Sequence, residues 1–172
     1  HFGDADYQEL NTLGAKGKAF DRTSAPTPGT DIMFFPYGNG PERTLGNIGG
    51  GAALVGVDYN RHSLAHVVWA CLTGVNFAMR YGFDVLSEIG LPVEDVKAGY
   101  ANLFLNEHFA QMFATTMSTP IELYRSDPAA GAARGAAYGS GLYSSIEEAL
   151  RTVRSERTIE PDTAASEIWE SK

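Results

Sequence analysis

Two histidines four positions apart, His62 and His66, open the most strongly patterned stretch of the chain. On a helix that spacing puts both imidazoles on one face, as in the H-E-x-x-H zinc pair. Here Ser63 stands where that pattern has its glutamate general base, and no third ligand is evident. The pair is better read as a helix start, with one histidine capping or packing. Cys71, the sole cysteine, falls on an apolar helical pattern, and no G-x-S-x-G elbow offers a serine nucleophile. The glycines of "YGNG" (37–40) and "GNIGGG" (46–51) fit neither G-x-x-x-x-G-K-[ST] nor a strand-borne G-x-G-x-x-G. Carboxylates are plentiful, but no spacing pairs two of them for acid–base work.

The segment "VKAGYANLFLNEHFAQ" (96–111) carries more chemistry. A short apolar run stops at Gly99, small and amide residues follow, and an amphipathic pattern then opens. That is a strand, a tight loop and a helix in succession. In open α/β sheets, ligands bind outside the carboxyl ends of strands, where such loops lie. Gly99 and Ala101 leave backbone approachable, while Asn102 and Asn106 offer both donor and acceptor, as an adenine edge requires. An ordinary βα loop ending in an asparagine cap has the same residues, so chemistry alone leaves both readings open.

Several elements must position this loop. A weak helix is expected over 4–19 around Tyr7, Leu10 and Leu13, then a Pro/Gly loop over 23–31. A short buried strand should begin "IMFFPYGNGPERT" (32–44) and break at Pro36, and a short apolar strand should follow the glycines of 46–58. A long helix spans 62–90, with Leu64, Val68, Cys71, Leu72, Val75, Met79, Phe83 and Leu86 as its core stripe. Gly90 and Pro92 stop it. Gly74, inside it, costs about 1 kcal/mol against Ala, which implies close approach of a neighbour. A strand over 94–100, a helix over 106–118 capped by Asn106 and a strand over 120–125 come next. Asp127–Pro128 starts a helix to 141 whose Ala/Gly surface suits close packing on a sheet. A short serine-capped amphipathic helix over 144–154 and a helix over 161–172 complete the chain. The strand–helix–strand–helix order from 94 to 141 predicts a parallel βαβ unit, hence an α/β fold.

The chain has 172 residues, enough for one compact domain, and its 44% hydrophobic content supports a real core. A formal charge of -8 argues against nucleic acid as a partner. Phosphates can still be held by helix N-termini and backbone N–H groups. With one cysteine there is no disulfide framework or cysteine-rich zinc site, and a cytoplasmic setting is expected. No apolar run reaches membrane-spanning length, and His1–Asp4 lacks the basic start of a secretory signal. The absence of an initial Met suggests a piece cut from something longer.

Four segments, taken in order, resemble one family. "FFPYGNGPERT" (34–44) resembles F-x-P-Y, a gap and G-E-R-T. "GVDYNRHSLAHVVWACLTGVNFAMRYGFDVL" (56–86) is similar to G-L, a gap, H-x-x-x-H, R-A, E-G and an amphipathic run. "GYANLFLNEHFAQMFATTMSTPIEL" (99–123) resembles G-G-x-x-x-[SN] followed by Q, A-D and P-V, and "DPAAGAARGAAYGSG" (127–141) resembles the small-residue helix beyond it. From Asp31 to Gly141 this is the motif order of the second lobe of FGGY carbohydrate kinases, with xylulokinase-like members most similar.

The resemblance implies a partial ribonuclease-H-like (actin-like ATPase) second lobe, with a mixed sheet and packed helices. Residues 1–172 would be part of the C-terminal nucleotide-binding lobe, lacking the N-terminal lobe and the first strands of this lobe. The full-length parent would use ATP and Mg2+ to phosphorylate a sugar hydroxyl, and positioning and charge stabilisation would dominate its catalysis. The family's carboxylate base and phosphate loops lie upstream, so no catalytic residue or metal ligand is assigned here, and this chain alone should be inactive. Its partners would be ATP or ADP and a small sugar such as a ketopentose, with a homodimer as an assembly common in the family. Anchored on Gln111, Ala114 and Pro120, the family's Ser/Asn falls on Asn106 and its paired glycines on Ala101 and Asn102, with Gly99 one slip of register away. Asn tolerates the left-handed conformation that such a glycine supplies. Phe104 and Leu105 should belong to the core. Trp69 and Thr73 replace the family's Arg and Glu. Those departures motivate an alternative, a non-catalytic actin-like module that binds nucleotide or a partner protein.

Overall fold

The structure, a computed structural model, describes residues 32–41, 45–46, 48–126 and 128–170, the last four by backbone alone, and positions 9, 12, 13, 15 and 16. Those five isolated positions are helical, but most of the helix expected over 4–19, the 23–31 loop, the "ERT" triplet and Asp127 lie outside the described residues.

The long helix α1 runs Leu64–Glu88. Its C-terminus closes as the sequence predicts. Gly90 adopts φ +81°, its N–H donates to Ser87 O at 3.0 Å, and the Leu91 N–H donates to Leu86 O at 2.9 Å. These are the two bonds of a Schellman motif. Against α1 lies a two-stranded antiparallel sheet of β1 (Met33–Phe35) and β2 (Ala53–Val55), with Phe34 opposite Leu54. Gly74 permits the contact, because a Cβ there would overlap Phe34 O and stand 3.0 Å from its carbonyl carbon.

The expectation of a buried strand at 32–35 needs correction. Met33 and Phe35 are 54% and 43% exposed, since α1 meets β1 on one side and, among the described residues, the sheet has two strands. The α1 stripe is likewise core only in part. Val68 and Leu72 are buried, whereas Leu64, Met79 and Leu86 are exposed.

The second unit is the predicted βαβ. β3 (Val96–Gly99) leads through a 3-10 turn (Asn102–Leu105) into α2 (Glu107–Met117), and β4 (Ile121–Tyr124) returns parallel to β3. β5 (Ser155–Ile159) then pairs antiparallel with β4, giving a mixed sheet in the order β3-β4-β5. The sequence does not announce β5. "SERTI" is short and polar, with Ile159 as its one apolar residue.

α2 lies between the sheet and α1. Ala110, Phe113, Ala114 and Met117 pack with Ile121 and Leu123, while Phe109 and Met112 pack with Val68, Trp69 and Leu72. That is why α2 is buried over most of its length, from Phe109 to Met117 with Gln111 excepted. Burying a side chain such as Phe109 stabilises the fold by about 1.5–3 kcal/mol. Phe104 belongs to this core as expected, edge-on to Phe109 and Phe113 at 5.4 Å from each. Arg80 donates to Thr116 O, tying α1 to the C-terminus of α2.

Three helices complete the described chain. α3 (Pro128–Gly139) has no buried residue, and its glycines meet nothing within 4 Å. It packs on α4 (Ile146–Leu150) rather than on the sheet, which corrects the helix-to-sheet contact expected from its small residues. The Ser145 cap of α4 is present, accepting from the Glu148 N–H at 3.2 Å. α5 (Thr163–Glu170) docks on α2, where the Ser166 hydroxyl donates to Thr115 O at 3.2 Å. Among the described residues, no helix is long and apolar enough to cross a membrane.

Candidate functional site

β3 and β4 end side by side, and the chain turns in the same way after each. The Ala101 N–H donates to Gly99 O at 2.8 Å, and the Ser126 N–H donates to Tyr124 O at 2.7 Å. Such three-residue turns suit strand ends. The Tyr100 N–H also donates to Tyr124 O at 2.7 Å, extending the parallel ladder by one bond into the loop. A side chain at Gly99 would overlap Ser126 O, so glycine is what lets the two turns touch.

Of the two positions aligned with a glycine pair, only one needs glycine-like freedom. Ala101 is extended at φ -154°, ψ 165°, which any residue adopts. Asn102 is left-handed at φ +53°, and its side chain is exposed. The asparagine therefore supplies the backbone conformation that glycine would.

Asn106 caps the end of the 3-10 turn and the start of α2. It is 1% exposed, and its Oδ1 accepts from the Phe109 N–H at 2.9 Å, the expected N-cap of α2. Its Nδ2 is buried and has no hydrogen-bond partner among the described residues. Leaving such a group unpaired costs about 1–3 kcal/mol. Gly99, Ala101, Asn102 and Asn106 thus come together at the carboxyl end of a parallel strand pair. Asn102 is exposed, Gly99 and Ala101 are half-buried, and Asn106 is buried.

On the sheet face pointing away from α2, hydroxyl hydrogen bonds from Tyr124 and Ser155 hold the Glu122 carboxyl below the usual carboxylate range. The same bond pushes the Tyr124 phenol up. The chemistry considered for other residues resolves into structure. His62 Nδ1 accepts from the Asp58 N–H at 2.9 Å, and His66 Nδ1 accepts from the Ser63 N–H at 2.7 Å. Both rings thus brace the start of α1, and their neutral tautomers carry the proton on Nε2. Among the described residues, no three His, Cys, Asp or Glu side chains are grouped to hold a metal ion. Burial pushes the Cys71 thiol up, away from reactivity. Trp69 is buried in the core, and the Thr73 hydroxyl donates to Trp69 O at 2.8 Å, so both departures in α1 are absorbed by packing.

A hollow of about 490 Å³ lies elsewhere, among Tyr37, Pro41, Ile48, Gly49–Gly51 and Tyr81. Its described lining has no charged side chain to orient a ligand.

The α/β fold, a mixed sheet with packed helices, matches part of the fold of solved xylulose kinases. The chain superposes on the crystal structure of xylulose kinase from Rhodospirillum rubrum with a TM-score of 0.71 and 24% identity, over 99% of this chain and 33% of that one. In sequence it is similar to two curated carbohydrate kinases. It is 27% identical to the L-xylulose/3-keto-L-gulonate kinase of Escherichia coli over 176 residues, which is 99% of this chain and 32% of that protein. It is 28% identical to the xylulose kinase of Bacillus subtilis over 127 residues, covering 72% of this chain and 25% of that protein. The chain thus spans about a third or less of the curated relatives it matches. No protein-family model matches the sequence.

Arg157 escaped the sequence reading. It lies on β5 opposite Leu123 and reaches the candidate loop from a strand with no recognisable pattern.

Proposed function

We propose that residues 1–172 are part of the nucleotide-binding lobe of an ATP-dependent sugar kinase, supplying the adenine side of its ATP site. In this reading Gly99, Ala101 and Asn102 meet the base with backbone, and the Asn106 amide donates to an acceptor on the ligand. The observation that carries it is the buried Asn106 Nδ2, without a hydrogen-bond partner among the described residues, in the loop that follows the carboxyl end of a parallel strand pair. The phosphates, Mg2+, the carboxylate base and the sugar, such as a ketopentose, are assigned to parts of the parent outside these residues. The reaction moves the γ-phosphoryl of Mg-ATP to a sugar hydroxyl, and this lobe contributes by positioning the nucleotide.

A structure of the intact protein with ADP tests the site. Adenine bound out of contact with residues 99–106 refutes the assignment. Turnover of ATP on a panel of ketoses and polyols tests the activity. Nucleotide binding without phosphorylation of any sugar favours the non-catalytic module.

A further inference from the structure

Both ends of the candidate loop are held by one side chain fifty residues downstream. Leu123 and Arg157 are partners across the antiparallel β4–β5 pair, so their side chains share a sheet face. Leu123 is fully buried against α2, so Arg157 also emerges on the α2 side, at the point where the core gives way to the loop. Its guanidinium carbon stands 5.5 Å from the centroid of the Tyr100 ring. Its Nη1 donates to Glu107 Oε1 at 3.2 Å. Nε and Nη2 are buried and have no hydrogen-bond partner among the described residues. Tyr100 is the first residue after β3, and Glu107 is the first residue of α2. One planar cation therefore spans the loop from entry to exit, with a cation–π contact at one end and an ion pair at the other.

We infer that Arg157 is a positioning residue that holds the 100–106 loop in its nucleotide-receiving form, and that it sets nucleotide affinity without touching the reacting atoms. This rests on the reading of that loop as the adenine site. A loop that is receptive for only a fraction of the time binds with its affinity reduced by that fraction. Removing the clamp should therefore raise KM for ATP and leave kcat nearly intact.

The test uses the intact protein. Arg157→Met keeps the alkyl stem over the core and removes both clamp contacts. Arg157→Lys keeps the charge facing Glu107 but has no planar face for Tyr100. Arg157→Met should raise KM for ATP and Kd for ADP by about 5–10-fold with kcat within about 2-fold, and Arg157→Lys should fall between it and wild type. If Arg157→Met fails to fold, Arg157→Lys carries the same comparison alone. A folded variant with unchanged KM and Kd overturns the inference while leaving the adenine site standing. Photolabelling of wild type with an azido-adenine nucleotide separates the two failures. If peptides of residues 99–106 are not labelled, the site reading falls and the clamp with it.

Discussion

Gly74 and Gly82 lie two turns apart on α1, and replacing each with Ala should have opposite effects. In a helix interior, Gly→Ala gains about 1 kcal/mol from propensity alone. At Gly82 nothing lies within 4 Å of the added methyl, so that gain should appear whole. At Gly74 the methyl would overlap Phe34 O, with Phe34 C at 3.0 Å and Phe34 Cβ at 3.1 Å. Two of these atoms are backbone and cannot rotate away, so β1 must lift off α1. Overpacking of this kind costs up to about 3 kcal/mol, and about 2 kcal/mol remains after the propensity gain is subtracted. For a chain of this size each 1 kcal/mol moves Tm by about 2–4 °C. Gly74→Ala should therefore lower Tm by about 4–8 °C, and Gly82→Ala should raise it by about 2–4 °C. Urea unfolding of the two variants beside wild type gives the same comparison as free energies. A Gly74→Ala protein as stable as the Gly82→Ala one would refute the claim that glycine is needed for β1 to sit on α1.

Asn106→Ala should cost about 1 kcal/mol by removing the cap of α2, while Asn106→Ser keeps a capping oxygen and should stay near wild type. If the amide serves the nucleotide, ADP titration will show weakened binding in the Ser variant as well. Gly99→Ala should destabilise by about 1–3 kcal/mol, because the methyl meets Ser126 O, and it should weaken ADP binding by parting the two strand-end turns. Unfolding and titration unchanged together would disprove that contact. Burial, and then the neighbouring His62, hold the His66 imidazole below its ordinary value. The unfolded chain thus takes up more protons below about pH 6.5, so stability falls as pH drops through the folded-state value and levels off beneath it. His66→Gln can accept the same Ser63 N–H without titrating and should flatten that acid limb in thermal melts between about pH 7 and 5. An unaltered limb would assign the pH dependence to other groups.

The βαβ unit was legible because several local signals agree on it. The Asn106 cap, the apolar repeat of α2 and the breaks at Gly99 and Pro120 all act within a few residues. The left-handed Asn102 was legible from the resemblance, which sets it at a family glycine, because asparagine tolerates positive φ. What escaped depends on distant partners. β5 shows no period because one of its inward positions holds Arg157 instead of an apolar residue. The apolar runs of β1 and β2 mark strands correctly but could not reveal that β1 alone of the two packs closely on α1 and that β2 is exposed among the described residues. The small residues of α3 suit a close neighbour, yet no sheet lies against them among the described residues.

The position of β5 in the chain has a kinetic consequence. β3, the loop, α2 and β4 are consecutive and can assemble through local contacts. The Arg157–Glu107 bond joins residues 50 positions apart, and the Gln111–Glu160 bond that seats the same segment joins residues 49 apart. Such contacts return free energy only after a long loop has closed, so they tend to form late. A refolding chain should therefore regain most of its helical signal before the loop acquires its final shape. Competence to bind nucleotide would then lag behind secondary structure, with the docking of one short polar strand as the closing event.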